Sequence, residues 1–300
     1  MRVLFCGSGW LPFVDVLARG LPPGCEMTLW DRSIPLARAV AGVAVLMPSN
    51  APIDAGVIAA ADQLRLIQQP AAGIENVDLD AARARAIPVC NATGANHHSV
   101  AELALFFMLA LARRLPEANA AFAAARIGEP CGRELRGRRL GIVGRGRSGS
   151  ALAAIAEGLG MSVSAVGSRR TEAEWERLLG ESDAVSIHCP LTPATRGLMD
   201  DRAFSLMKPG AFLINCARGP VVDRAALERA LERGRLGGAG LDVFWDEPWA
   251  PDDSLYRRAN VVVTPHIAGS TEECWARIAA IAADNIDRLL RGAELLHRVA

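Results

Sequence analysis

Short apolar runs rich in β-branched residues stand at residues 3–6, 26–29, 43–46, 65–68 and 88–91, separated by stretches with helical spacing. Two of these stretches, residues 54–60 and 78–85, open on Asp54 and Asp78. A carboxylate there accepts from the exposed N–H groups of a first helical turn. An Ala/Leu-rich stretch then predicts one helix over residues 99–125, with Ser99 as its N-cap and Glu102 at capping-box spacing. Residues 103–112 are apolar on every side, which predicts burial, including against another subunit. Gly128, Pro130, Gly132 and Gly137 punctuate a loop. The alternation then resumes, with strands predicted at 140–143, 162–166, 184–188, 211–215, 240–244 and 261–264 and an amphipathic helix at 271–290. Strand–helix alternation of this kind makes parallel sheets with crossover helices. The simplest architecture is α/β: two doubly wound parallel-sheet domains joined through the 99–125 helix.

Composition narrows the chemistry. The chain has 300 residues, 51% of them hydrophobic, enough for a sizeable core. Basic and acidic residues balance at 33 each, so no global basic footprint for nucleic acid or an anionic membrane exists. Lys208 is the only lysine; Schiff-base chemistry would have to use it, and no glycine-rich Walker loop precedes it. The seven cysteines include no C-x-x-C pair, so no metal site is expected. The apolar run at residues 3–6 is too short for a signal peptide, and no run approaches the roughly 20 residues that span a bilayer. The expectation is a cytoplasmic protein with reduced thiols.

One glycine loop has the context that gives its pattern meaning. Gly144-Arg145-Gly146-Arg147-Ser148-Gly149 follows a predicted strand and precedes a predicted helix over residues 150–158. Gly144 permits the tight turn, Gly146 lets backbone approach a pyrophosphate, and Gly149 lets helix and strand pack closely. The helix start supplies N–H groups and partial positive charge. A rival loop at Gly7-Ser8-Gly9 has Pro12 where the third glycine belongs, and Pro12 more naturally starts a helix. The second strand of the unit ends Val166-Gly167-Ser168-Arg169-Arg170, without the acid that accepts from the ribose of NAD. Ser168, Arg169 and Arg170 suit a 2′-phosphate, favouring NADP(H) with NAD(H) as the alternative; a turn whose arginines face water is the competing reading.

Ligands of open α/β sheets lie beyond the carboxyl ends of the strands. Arg218, Glu247 and His266 each follow a predicted strand of the second unit. Each alone is an ordinary surface residue. Together they suit hydride transfer to a 2-oxo acid: a guanidinium binds carboxylate and polarises carbonyl, an imidazole moves the proton, and a carboxylate fixes the imidazole's tautomer.

These residues, with Gly73-Ile74-Glu75-Asn76-Val77-Asp78, Asn96, Val100-Ala101-Glu102, His188-Cys189-Pro190-Leu191-Thr192, Asn215-Cys216-Ala217-Arg218-Gly219, Leu241-Asp242-Val243-Phe244 and Thr264-Pro265-His266-Ile267-Ala268-Gly269, resemble the D-isomer-specific 2-hydroxyacid dehydrogenases. The resemblance implies a Rossmann cofactor domain, residues 96–271, inserted into a flavodoxin-like substrate domain, residues 1–95 plus 272–300, with the active site in the cleft between them. It implies that Arg218, Glu247 and His266 are catalytic and that the N–H groups of Ala72 and Gly73 hold the substrate carboxylate. Cofactor contacts are implied at Cys189, Pro190, Thr195, Cys216, Ala217, Asp242, Ala268 and Gly269. A homodimer formed through the cofactor domain is also implied, in keeping with the apolar 103–112 segment. Gly167 stands where NAD-preferring members carry Asp, which resembles the NADPH-dependent glyoxylate and hydroxypyruvate reductases. Glu247 differs from the Gln of formate dehydrogenases in this fold, and the short tail gives the expectation that the regulatory domain of some phosphoglycerate dehydrogenases is absent. A cofactor-sensing regulator of the same fold is the reading from another class. His97 and His98 are expected to be an exposed helix start. Trp245, Trp249 and Trp275 are open between pocket and packing.

Overall fold

The computed structural model describes residues 1–300 and divides into two compact units, Met1–Asn96 with Ser270–Ala300, and His97–Gly269. The first holds five parallel strands, β1 (Arg2–Phe5), β2 (Glu26–Leu29), β3 (Val45–Met47), β4 (Leu66–Gln68) and β5 (Val89–Cys90), in the order β2-β1-β3-β4-β5. This is a flavodoxin-like order. Alternate residues of its strands face two layers. Leu4, Leu46 and Ile67 pack with Val57, Ile58 and Ala82. Val3, Phe5, Val45, Met47 and Leu66 pack with Val14, Leu17 and the Glu272–Arg291 helix, through Trp275, Ile278, Ala282 and Ile286. Burial on both faces explains why β1, β3 and β4 read as continuous apolar runs. The caps at Asp54 and Asp78 form, accepting from Val57 N–H (2.8 Å) and Ala81 N–H (2.9 Å).

The outer edge of β5 is covered by the C-terminal tail. Val299 N–H donates to Val89 O (2.8 Å), Val89 N–H to Ala300 O (3.1 Å), and Asn91 N–H to His297 O (3.2 Å). Fully buried Asn285 ties the tail down. Its Nδ2 donates to Gln68 Oε1 (2.7 Å) and Leu296 O (3.0 Å), and its Oδ1 accepts from Leu296 N–H (2.7 Å).

The second unit holds β6 (Arg139–Val143), β7 (Ser162–Val166), β8 (Ala184–Ile187), β9 (Ala211–Asn215), β10 (Leu236–Leu241) and β11 (Val261–Val263), all parallel, in the order β11-β10-β9-β8-β6-β7. The chain steps from β6 to β7 on one side, then returns to β8 on the other. The carboxyl end of β6 is therefore a topological switch point. The helix His97–Ala112 lies on β10, where a Cβ at Gly240 would come within 2.6 Å of Phe107 and one at Gly238 within 2.8 Å of Leu111. Glycine there is what lets the helix reach the sheet.

Four expectations are corrected. The helix predicted over 99–125 is two, His97–Ala112 and Leu115–Ala123, broken at Arg114, which takes a left-handed φ of 53°. Pro116 has no N–H for the carbonyl of Ala112, one turn back. The Arg133 amide donates to that carbonyl instead, at 2.8 Å. Ser99 is not an N-cap: it lies inside the first helix and is buried. The strand predicted at 240–244 runs Leu236–Leu241, and its glycines at 238 and 240 serve helix packing. The glycine-loop helix also starts earlier than expected, at Arg147.

The apolar helix His97–Ala112 is buried at Ala104, Phe107, Met108 and Leu111, while Phe106 and Leu109 remain exposed. Phe122 and Ile127 are almost wholly exposed as well. No helix is long and apolar enough to cross a membrane.

Candidate active site

The glycine loop leaves β6 with each glycine in a distinct role. Gly144 has φ +117°, and a Cβ there would sit 2.6 Å from the carbonyl carbon of His188. A Cβ at Gly149 would lie 2.2 Å from Gly144 O, so helix and turn close only without one. A Cβ at Gly146 would meet nothing within 4 Å. That space is open to a ligand, and any side chain would close it. Gly146 is also the N-cap of the Arg147–Gly158 helix and caps it with no side chain. The first-turn amides, at Arg147, Ser148 and Gly149, are thus available to an anion. This cradle fits a dinucleotide pyrophosphate.

Beside it, Arg145 is folded back on β7: its Nε donates to Ala165 O (2.7 Å), and its Nη2 donates to the same oxygen. Ser168 and Arg169 are exposed at the end of β7, and the Arg170 guanidinium stacks on Trp175, 4.5 Å from the ring centre. A Cβ at Gly167 would have open space around it. The end of β7 therefore gathers three guanidiniums, with Glu174 of the following helix near enough to Arg145 to interact with its charge.

His266 and Glu247 are joined. Nδ1 of His266 lies 2.7 Å from Oε2 of Glu247, and Oε1 of Glu247 accepts from Phe244 N–H (3.1 Å). Burial works to raise the Glu247 carboxyl, but the bond to His266, its charge, the Phe244 amide and nearby Arg218 together hold it below the usual range. The pairing fixes Nδ1 as the nitrogen that faces the carboxylate. His266 has φ +54°, a left-handed backbone. The loop that imposes it is tied to Asp242, which is fully buried: Oδ1 accepts from Thr264 Oγ1 (2.6 Å) and Ile267 N–H (2.8 Å), and Oδ2 from Ala268 N–H (2.8 Å). Burial raises the Asp242 carboxyl against these three bonds. Gly269 follows at the end of this loop.

Arg218 stands in the turn after β9. Asn215 shapes that turn, donating to Arg218 O (2.9 Å) and accepting from Ala217 N–H (3.0 Å), while Arg218 Nη1 donates to Ala217 O (2.7 Å). Cys216 is buried and its thiol is pushed well above its ordinary value. Burial also raises the partly buried Cys189. Pro190 is exposed, and its carbonyl accepts from Thr195 Oγ1 (2.6 Å), which also accepts from Thr192 N–H (2.8 Å). Thr195 thus closes the loop after β8. His188, at the end of β8, pairs Nε2 with Ser186 Oγ at 2.8 Å, while its buried Nδ1 has no partner. Burial lowers its imidazole to about 4.

In the first unit, Ala72 and Gly73 lie in the loop after β4. Three side-chain amides shape it: Asn91 Nδ2 donates to Ala72 O (2.8 Å), Gln69 Nε2 to Gly73 O (2.8 Å) and Asn76 Nδ2 to Ala51 O (2.6 Å). Sequence reading passed over Gln69 and Asn91. The only signal was an amide residue ending an apolar strand run.

The remaining residues singled out fall into packing. Trp245 donates to Val222 O (2.7 Å), Trp249 packs on Phe244 (4.4 Å between ring centres), and Trp275 stacks on Phe13 (4.8 Å). His97 and His98 open their helix with rings 4.0 Å apart, and no group of three His, Cys, Asp or Glu side chains is placed to hold a metal ion.

Comparison with known proteins bears directly on this geometry. A model of the D-isomer specific 2-hydroxyacid dehydrogenase NAD binding domain matches residues 105–268, more than half of the chain. A glyoxylate reductase of Korarchaeum cryptofilum is 40% identical over 257 residues, 80% of this chain and 77% of the relative. A D-3-phosphoglycerate dehydrogenase of Archaeoglobus fulgidus is 38% identical over 261 residues, 83% of this chain but 50% of the relative. The chain thus spans about half the length of that relative. The crystal structure of a D-lactate dehydrogenase from Aquifex aeolicus, complexed with NAD and lactic acid, superposes with a TM-score of 0.83 at 29% identity, covering 97% of this chain and 96% of the other. With two parallel sheets, a dinucleotide cradle and these likenesses, the chain belongs to the D-isomer-specific 2-hydroxyacid dehydrogenase family.

Proposed function

We propose that this protein is an NADP(H)-dependent reductase of small 2-oxo acids such as glyoxylate or hydroxypyruvate. The observation that carries the reading is the 2.7 Å pairing of His266 with Glu247 on the sheet that bears the glycine cradle. A nicotinamide cofactor, when bound, supplies the hydride. The amides at Arg147, Ser148 and Gly149 hold its pyrophosphate, and Cys189, Pro190, Thr195, Cys216, Ala217, Asp242, Ala268 and Gly269 line the remainder of its site. The N–H groups of Ala72 and Gly73 hold the substrate carboxylate. Arg218 polarises the carbonyl, and His266 Nε2 delivers a proton to the oxygen as it gains charge. Glu247 keeps the imidazole in the right tautomer and stabilises its protonated form.

The preference for NADPH rests on Ser168, Arg169 and Arg170 at the end of β7, with Arg145 beside them. NADH with another 2-oxo acid is the second reading, favoured by the open space at Gly167 and by phosphoglycerate dehydrogenases among the relatives. Exposed Phe106, Leu109, Phe122 and Ile127 support a homodimer through this unit. Seven free thiols suit a reducing cytoplasm. The test follows cofactor absorbance with NADPH and with NADH across a panel of 2-oxo acids. Turnover of glyoxylate or hydroxypyruvate, faster with NADPH, is expected. No turnover with either cofactor, together with partner capture that responds to NADPH, would instead mark a cofactor-sensing regulator.

A further inference from the structure

We propose that Asn91 is a positioning residue for substrate binding: it turns the main chain at Ala72 and Gly73 so that their N–H groups face the substrate carboxylate. The inference rests on the reductase reading and adds to it a residue that touches neither substrate nor cofactor.

In a trans peptide the C=O and N–H point in opposite directions. Whatever holds the carbonyl of one residue therefore aims the amide of the next. The Ala71 carbonyl accepts from Ala92 N–H at 2.9 Å, which aims the Ala72 amide the other way. The Ala72 carbonyl accepts from Asn91 Nδ2 at 2.8 Å, which does the same for the Gly73 amide. Both peptide planes are thus set by a single step of chain, Asn91–Ala92, just beyond β5. Gln69 extends the pattern by holding the Gly73 carbonyl. The carbonyls of Ala71, Ala72 and Gly73 are thus all held from within the unit, which sets the amides of Ala72, Gly73 and Ile74 against the opposite side.

Asn91 is itself fixed on three sides. It is only 5% exposed. Its Oδ1 accepts from Thr93 Oγ1 (2.6 Å) and Thr93 N–H (3.2 Å), which leaves Nδ2 as the end facing Ala72. Its own N–H donates to His297 O in the tail that covers β5. Asparagine is required here because the same side chain must accept on one side and donate on the other. An aspartate of the same shape keeps the Thr93 bonds and sets an acceptor against the Ala72 carbonyl.

The test compares wild type, N91D and T93V with NADPH and glyoxylate, and titrates each with oxalate as a carboxylate probe by calorimetry. In N91D, KM for glyoxylate and Kd for oxalate should rise at least tenfold, with kcat within threefold and NADPH affinity unchanged. The defect should shrink as pH falls toward 5, because a protonated carboxyl regains a donor. T93V, which only loosens Asn91, should show the same split at about threefold, and it decides the matter if N91D does not fold. Wild type that turns over glyoxylate while both variants keep KM and oxalate Kd within twofold overturns this inference alone. A defect in N91D that ignores pH, or that falls equally on kcat and NADPH affinity, also overturns it. Wild type that reduces no 2-oxo acid removes the reductase reading and this inference with it.

Discussion

The carboxyl ends of the two sheets present different kinds of polar group. In the six-stranded sheet the loops present ionisable and charged side chains, Arg218 after β9, Glu247 after β10 and His266 after β11, with arginines after β6 and β7. In the five-stranded sheet the polar side chains around the loop after β4 hold main-chain carbonyls, Gln69 that of Gly73 and Asn91 that of Ala72. Charge that must change during a reaction needs a titratable side chain. Charge that must only be held is served by fixed dipoles, which pay no reorganisation at the moment of reaction.

Removing a side chain from the first kind of edge should therefore cost most. His266→Asn should lower kcat for 2-oxo acid reduction on the order of 10³-fold while cofactor affinity stays intact, since proton transfer by a positioned side chain contributes about that much. Steady-state kinetics with a fluorescence titration of NADPH checks it. Retained turnover would break the division between the two edges.

His188 sharpens the comparison through stability. Its imidazole is neutral in the fold down to about pH 4 and would charge near 6.5 when unfolded. The unfolded state thus binds the extra proton between those values, so stability falls as pH drops from 6.5 toward 4. The loss amounts to roughly 3 kcal/mol over that window. His188→Asn should flatten this part of the stability curve, measured by urea unfolding at stepped pH. An unchanged slope would assign the acid sensitivity to other groups.

A smaller effect is expected at the end of β7. Arg169→Ala should reduce the preference for NADPH over NADH about tenfold, the worth of one charge-assisted phosphate contact. The ratio of kcat/KM values with the two cofactors reads it directly. Equal losses with both would mean that Arg169 faces water.

The two edges also differed in how far they could be read from residues alone. Arg218, Glu247, His266 and the glycine loop were visible because side-chain chemistry is written in residue type, and their strands are short apolar blocks. Asn91 and Gln69 were not, since their work is to hold carbonyls in a loop, and any amide residue looks alike until partners are known. The same limit explains the fold. Pro116 was passed over inside the predicted long helix, and the break there is settled by Arg133 taking over the Ala112 carbonyl from a later loop. The start of β10 was missed because the helix that its glycines accommodate lies more than a hundred residues earlier in the chain. The antiparallel tail on β5 has no periodic pattern at all.

The left-handed backbone at His266 constrains what this position can become. Glycine, asparagine and aspartate are, with histidine, the residues that visit that region most readily, and branched side chains are nearly barred from it. Drift away from histidine would therefore pass first through a few small or polar residues. None of these titrates near neutral pH as an imidazole does, so a chain that had drifted there would keep the shape of the loop and lose the imidazole.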